Sequence, residues 1–318
     1  MLNRRILRIK AFKVLFSYAE NPSMTLKEAE AKLEMSCEAT RSLYLFMLGI
    51  IPVLTSEAAT RIENASRKIH PTEAERNPNM KFVANGIAPL LAQDPDFGKL
   101  LARRKLSWEP FDAFIRNTYD SMSRKDYFKE YMADPERSIK QDAALFSRMF
   151  EEEFVDSKEL AAILEDLSIW WIDDLAYALT VCCDTMKELS RGKRWELPHL
   201  YRSEMKASMA TDSDKLFVNK LLRTSYSCYG RFFPLVAAST DQWTEDRLFT
   251  TDTVLIIMGL GEAKAFPEMP VRVTINEYVE ISKYYSTPKS SSFVNGILDR
   301  LIKRLVSEGE IVKTENFD

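Results

Sequence analysis

The chain has 318 residues, a net charge of −3 and only nine glycines and thirteen prolines. That length can bury a sizeable core in one large or two small domains, and the charge excludes a generic, wholly basic nucleic-acid binder. Few helix breakers and long stretches rich in Glu, Lys, Ala and Leu predict an all-α protein.

Residues 3–20 predict the first helix. On it Arg4, Arg5 and Arg8 fall within one narrow sector, while Phe12, Leu15 and Phe16 face inward. Charges run through this segment without a clean apolar core, so it is not a signal peptide. Thr25 and Glu28 form a capping-box pattern that opens a helix to about Leu33. Another helix begins near Ser36 and runs towards Lys68, kinked or broken at Pro52. The longest apolar run, Tyr44 to Leu54, is too short to span a bilayer. Residues 69–80 lack apolar periodicity and carry two prolines, which predicts a loop.

Three stretches then share a Phe-to-Trp spacing: Phe82 to Trp108, Phe146 to Trp171 and Phe217 to Trp243. The separations of 26, 25 and 26 residues suggest a repeated unit of helix, turn and helix, ending in an aromatic anchor. Residues 190–213 form a polar connector in which Trp195 is a candidate for docking. Towards the end, Thr274 and Glu277 form a second capping-box pattern, followed by Ile275, Tyr278, Val279 and Ile281 on one apolar face. Pro288 interrupts the pattern, and Ser290, Ser291 or Ser292 can cap the helix that follows. Gly296 sits early in that helix, at a cost of about 1 kcal/mol against Ala, which implies close approach of another helix or of a ligand.

Chemistry is sparse. Cys37, Cys182, Cys183 and Cys228 have no metal-ligand spacing and read as reduced thiols, and His70 and His199 are the only histidines. There is no P-loop, Gly259-Leu-Gly261 is only a fragment of a dinucleotide fingerprint, and no nucleophile–base order stands out. Asp173–Asp174 and Glu151–Glu153 read as solvated helix faces. Charge is unevenly placed: residues 1–20 carry five basic side chains against Glu20, and residues 270–305 carry six against three acidic ones. Two basic ends and an acidic remainder fit a confined anionic partner.

Two segments near the C-terminus, Pro270-Val-Arg-Val-Thr-Ile-Asn-Glu-Tyr-Val-Glu-Ile-Ser-Lys283 and Phe293-Val-Asn-Gly-Ile-Leu-Asp299, resemble the NusB family of transcription antitermination factors. The start, Asn3-Arg-Arg-Ile-Leu-Arg-Ile-Lys-Ala-Phe-Lys-Val-Leu-Phe-Ser-Tyr18, is similar to that family's arginine-rich first helix. The resemblance covers roughly residues 1–20 and 213–307. It implies an all-α, NusB-like helical bundle core (residues 1–20 and 213–318) split by a helical-hairpin insert (21–212), with 21–68 assignable in part to either.

The resemblance also implies a function: a transcription antitermination factor that binds boxA-like single-stranded RNA together with NusE, a small-subunit ribosomal protein, in the RNA polymerase antitermination complex. The RNA-binding residues would be Arg4, Arg5, Arg8, Lys289, Ser292, Phe293 and Asn295. Arginines pair bidentately with phosphate, hydroxyls and a helix N-terminus donate to it, and Phe293 either stacks on an unpaired base or packs in the core. Asn295 reads a base edge or caps a neighbouring helix. Phe16, Asp252 and Glu262 fall where the family contacts its protein partner, although Gly259 and Gly261 stand where larger residues are common. A NusB-like domain also begins some RNA cytosine methyltransferases, but here the family-like half ends the chain, so a non-enzymatic, cytoplasmic factor without cofactor, metal or membrane is expected. The alternative is an all-helical protein-interaction adaptor with a NusB-like core that has lost RNA binding.

Overall fold

The computed structural model describes residues 1–202, 204–206, 209–211, 213–239 and 250–314, with the side chains of 204–206 and 209–211 excepted. Helices dominate, as the composition predicts. In chain order they are α1 (Arg4–Glu20), α2 (Leu26–Leu48), α3 (Ile50–Ser66), α4 (Glu73–Arg76), α5 (Ile87–Ala92), α6 (Pro95–Arg103), α7 (Asp112–Arg124) and α8 (Asp126–Ala133). After them come α9 (Ile139–Met149), α10 (Lys158–Leu167) and α11 (Leu175–Ser190). A short antiparallel hairpin, β1 (Glu204–Lys206) with β2 (Met209–Thr211), precedes α12 (Ser213–Ala238), α13 (Thr250–Ala265), α14 (Val271–Tyr285) and α15 (Ser290–Ser307).

The chain divides into two compact units. One comprises Met1–Cys37 and His199–Asp318, and the other Glu38–Pro198. In the first unit α13 is the central element, touching α1, α12, α14 and α15. Every residue from Asp252 to Ala263 is buried, which explains why this helix shows no amphipathic stripe. Its two glycines are packing devices. A Cβ at Gly259 would lie 2.6 Å from Leu298 Cδ2 on α15, and one at Gly261 would lie 2.3 Å from Ser225 Oγ on α12. A larger residue at Gly259 would have to displace the Leu298 side chain, and one at Gly261 would also press on the α12 backbone, with Ser225 Cα at 3.0 Å.

The second unit is organised on Phe46 of α2. Trp108 stacks on its ring at 4.0 Å and Trp171 at 5.5 Å, and their indole N–H groups donate to the carbonyls of Phe46 and Ala39. Buried indoles that keep a hydrogen-bond partner are strong anchors. Trp195 docks in this unit too, donating to Asp94 Oδ2 at 2.7 Å and meeting Phe97 edge-on.

Several local expectations change. The Thr25/Glu28 box is present, with Glu28 accepting from the Thr25 backbone N–H and hydroxyl at 2.7 and 2.8 Å. The helix it opens runs past Ser36 to Leu48, and the break falls at Gly49. Pro52 is the third residue of α3, where its missing N–H costs nothing. Residues 26–66 are long and apolar enough to cross a membrane by composition, yet more than half of their most apolar stretch is buried. The loop at 69–80 contains the one-turn α4 with its own Thr72/Glu75 capping box.

The three Phe-to-Trp stretches do not share a form. Residues 82–108 hold two short helices, 146–171 a π-helical turn and α10, and 217–238 lie inside the unbroken α12, while Trp243 lies outside the described residues. Equal spacing of aromatic residues reflected separate packing demands. Asp174 and Glu153 are also not solvated: Asp174 is buried and accepts from Thr40 Oγ1, and Glu153 accepts from Ser121 and Tyr127.

Candidate nucleic-acid interface

Asn3 opens α1 by accepting from the Ile6 N–H at 2.9 Å, which sets the arginines of the first two turns. Arg4 and Arg5 keep nearly half of their side-chain surface in solvent. Arg5 makes a two-pronged bond to Glu277 of α14, at 3.1 and 2.9 Å. That bond raises the Arg5 pKa and holds the Glu277 carboxyl below the usual glutamate range. Arg4 reaches Asp214 at 3.4 Å and lies over the Phe217 ring of α12.

Arg8 departs from the surface stripe. It is 3% exposed and bonds Glu262 through Nε and Nη2 at 2.7 and 2.8 Å. Burial opposes its charge, but the hydrogen bonds and charge of Glu262 outweigh this and raise its pKa. Glu262 is fully buried and also accepts from Thr274 at 3.2 Å and Tyr278 at 3.0 Å. So neither Arg8 nor Glu262 presents a free group to RNA or to a partner protein. The capping box read at Thr274 and Glu277 is likewise absent: α14 starts at Val271 after Pro270, and both side chains serve these ion pairs instead.

Side chains of α1 and α14 meet at two levels, in the same order along both helices. Arg5 meets Glu277, and further along Phe12 meets Tyr285 at 5.4 Å with Lys13 over the same ring. The eight steps from Glu277 to Tyr285 span roughly 12 Å. Beyond Tyr285 comes the corner to α15, knitted by hydroxyls: Ser290 Oγ lies 2.8 Å from Ser286 Oγ and 2.9 Å from Thr287 Oγ1, and donates to Asp252 Oδ2 at 2.7 Å. None of the three serines caps α15, whose first flanking residue is Lys289.

Lys289, Ser292 and Asn295 are exposed at this corner, and Phe293 is half-buried. Gly296 is exposed with nothing near its Cβ position, so no neighbouring helix accounts for it. Of the residues expected at a protein contact, Phe16 is half-buried beside Phe12, whereas Asp252 is buried at the start of α13. Sequence reasoning passed over Tyr284, which is 80% exposed in the last turn of α14. The signal was available: Tyr278, Ile281 and Tyr285 define the inward face, and Tyr284 lies off it.

Geometrically, this is a helical domain with a half-exposed arginine pair and a hydroxyl-rich corner carrying lysine and an exposed tyrosine. Residues 176–303 match the model of the NusB family. Transcription antitermination protein NusB of Salinibacter ruber is 32% identical over 102 residues, covering 32% of this chain and 64% of that protein. The protein of the same name from Thermodesulfovibrio yellowstonii is 36% identical over 89 residues, 28% of this chain and 59% of its own length. That from Methylacidiphilum infernorum is 48% identical over 61 residues, 19% and 43% respectively. The chain thus spans about three-fifths of the length of the first two relatives. No solved structure matches. Over residues 176–303 the chain is similar to the NusB family; α1 lies outside that match.

Proposed function

We propose that this protein is a transcription antitermination factor of the NusB type, which binds boxA-like single-stranded RNA together with NusE and joins the RNA polymerase antitermination complex. The observation that carries this reading is the pairing of NusB-family sequence over 176–303 with a solvent-facing set in the first unit: Arg4, Arg5, Lys289, Ser292 and Asn295. Arg4 and Arg5 exchange Asp214 and Glu277 for phosphates, while Lys289 and the exposed hydroxyl of Ser292 hold the strand at the corner. Tyr284 and the half-exposed face of Phe293 stack on unpaired bases. Arg8 acts from inside, fixing α1 against α13 and α14. Phe16 is the surface contact for the protein partner. The family core corresponds to residues 1–20 and 213–318, and residues 21–212 are an added helical region. The role is one of local concentration, with no covalent step.

A specific observation favours the alternative, an adaptor that has lost RNA binding: Arg4, Arg5 and Arg8 each already hold a carboxylate. Fluorescence anisotropy with a boxA-type RNA and a scrambled RNA, with and without NusE, separates the two. Selective binding strengthened by NusE, and lost with its salt dependence in Arg4→Ala/Arg5→Ala, is the expected result. Equal, weak binding of both RNAs by the wild type, indifferent to NusE, would leave the adaptor.

A further inference from the structure

The second unit carries an apolar tip that its own fold does not use. Where α10 ends, Leu167, Ile169 and Ile172 are 44%, 75% and 56% exposed. The tip is held in this form. Ser168 is extended and caps the following 3-10 turn (Ile169–Trp171) by accepting from the Trp170 N–H. Trp171 is buried with its indole donating to Ala39, and Asp174 is buried on Thr40 at 2.5 Å. These two anchors fix the turn from inside and leave Ile169 and Ile172 directed away from the core. A fixed, solvent-facing apolar cluster marks an interaction surface.

Charge identifies the partner. From Asp156 to Asp166 the exposed carboxylates are Asp156, Glu159, Glu165 and Asp166, against a single cation, Lys158. Among the described residues, Asp156, Glu159, Glu165 and Asp166 have no ion pair. Glu165 and Asp166 stand in the last turn of α10, which has no basic residue. A helix C-terminus is the negative end of the helix dipole, so carboxylates there oppose helix stability and deepen the local negative potential. Nothing in the unit's own packing calls for them.

We propose that this tip docks a basic amphipathic helix of a partner protein. Its apolar side chains would cover Leu167, Ile169 and Ile172, and its lysines or arginines would face Glu165 and Asp166. An RNA or an anionic bilayer is repelled by the same carboxylates, and a second copy of the tip would bring like charges together.

The test uses the full chain and a fluorescent amphipathic Leu/Lys helical peptide, with a scrambled peptide of the same composition as control. Saturable binding at least tenfold tighter than to the scrambled peptide is expected. Ile169→Ser/Ile172→Ser and Glu165→Lys/Asp166→Lys should each lose at least tenfold, with thermal melting not lowered because all four side chains are exposed. Equal binding of both peptides, or unchanged binding in either variant, overturns the proposal. So does binding to phosphatidylserine vesicles, or self-association in sedimentation, that disappears in Ile169→Ser/Ile172→Ser.

Discussion

Replacing Glu262 by Gln tests whether Arg8 is held inside the fold as its geometry indicates. The substitution keeps the side chain's shape and removes its charge. Glu262 is fully buried and accepts from Arg8 twice and from Thr274 and Tyr278, so all four interactions lose an ionised acceptor. Breaking one side of a buried pair costs about 3–5 kcal/mol, because the remaining charge stays buried. Here Glu277 lies 3.6 Å from Arg8 Nη1 and supplies part of the missing counter-charge. The expected loss is therefore near the lower end, about 3 kcal/mol. Urea denaturation followed by circular dichroism reads it as a lower midpoint at unchanged slope. The double variant Arg8→Met/Glu262→Gln removes both charges at once, keeps an acceptor for Thr274 and Tyr278, and should recover most of that loss. It should also leave RNA affinity of the folded protein intact. A loss below about 1 kcal/mol in Glu262→Gln, or a double variant no better than the single, would refute a buried, interdependent pair.

Glu277→Gln should act in the opposite sense on RNA. It releases Arg5 from an exposed pair worth about 0.2–1 kcal/mol, so affinity should rise about 1.4- to 5-fold, with the salt slope nearly unchanged because Arg5 reaches a phosphate in both proteins. Mild acid will not mimic this. The Glu277 pKa is depressed, so the pair's contribution is complete above the ordinary glutamate range and is lost only as pH falls through the depressed value. Tyr284→Ala should weaken single-strand binding by about 1–3 kcal/mol with little change in salt slope, and Tyr284→Phe should retain it, by the same anisotropy assay. Gly261→Ala should destabilise by about 1–3 kcal/mol in urea titration. Adding Ser225→Ala should restore only part, since Ser225 Cα also lies 3.0 Å from the new Cβ.

Local rules were legible in the sequence where a short segment decides them. The all-α class, the start of α1 and the Thr25/Glu28 box follow from neighbours three or four residues apart. The length of α2 did not, because buried Cys37 and Leu43 hold it as one helix past the expected stop near Leu33. The spacing of Phe and Trp misled for a similar reason: Trp108 and Trp171 converge on Phe46 from different local structures, and a count along the chain cannot show convergence. In the candidate site, residue types were readable and their burial was not. Arg4 and Arg8 look equivalent on a helical wheel, yet one faces solvent and the other is enclosed by α13 and α14.

That difference follows from partners far away in sequence. Arg4 meets Asp214 and Arg5 meets Glu277, pairings 210 and 272 residues apart that no local pattern announces. They change what a basic helix can do. A free arginine offers an anion its whole charge, whereas a paired one offers only the difference between phosphate and the carboxylate it leaves. With half-exposed pairs that difference is small, so neither arginine alone can supply strong, indiscriminate attraction. Binding then depends on several contacts made together: two arginines, Lys289, and an aromatic face that gains nothing from charge. Under the proposed function such a surface would discriminate a strand that reaches from the first turns of α1 to the corner before α15 from one that touches either end alone, and a protein with a net charge of −3 would then select RNA without collecting it.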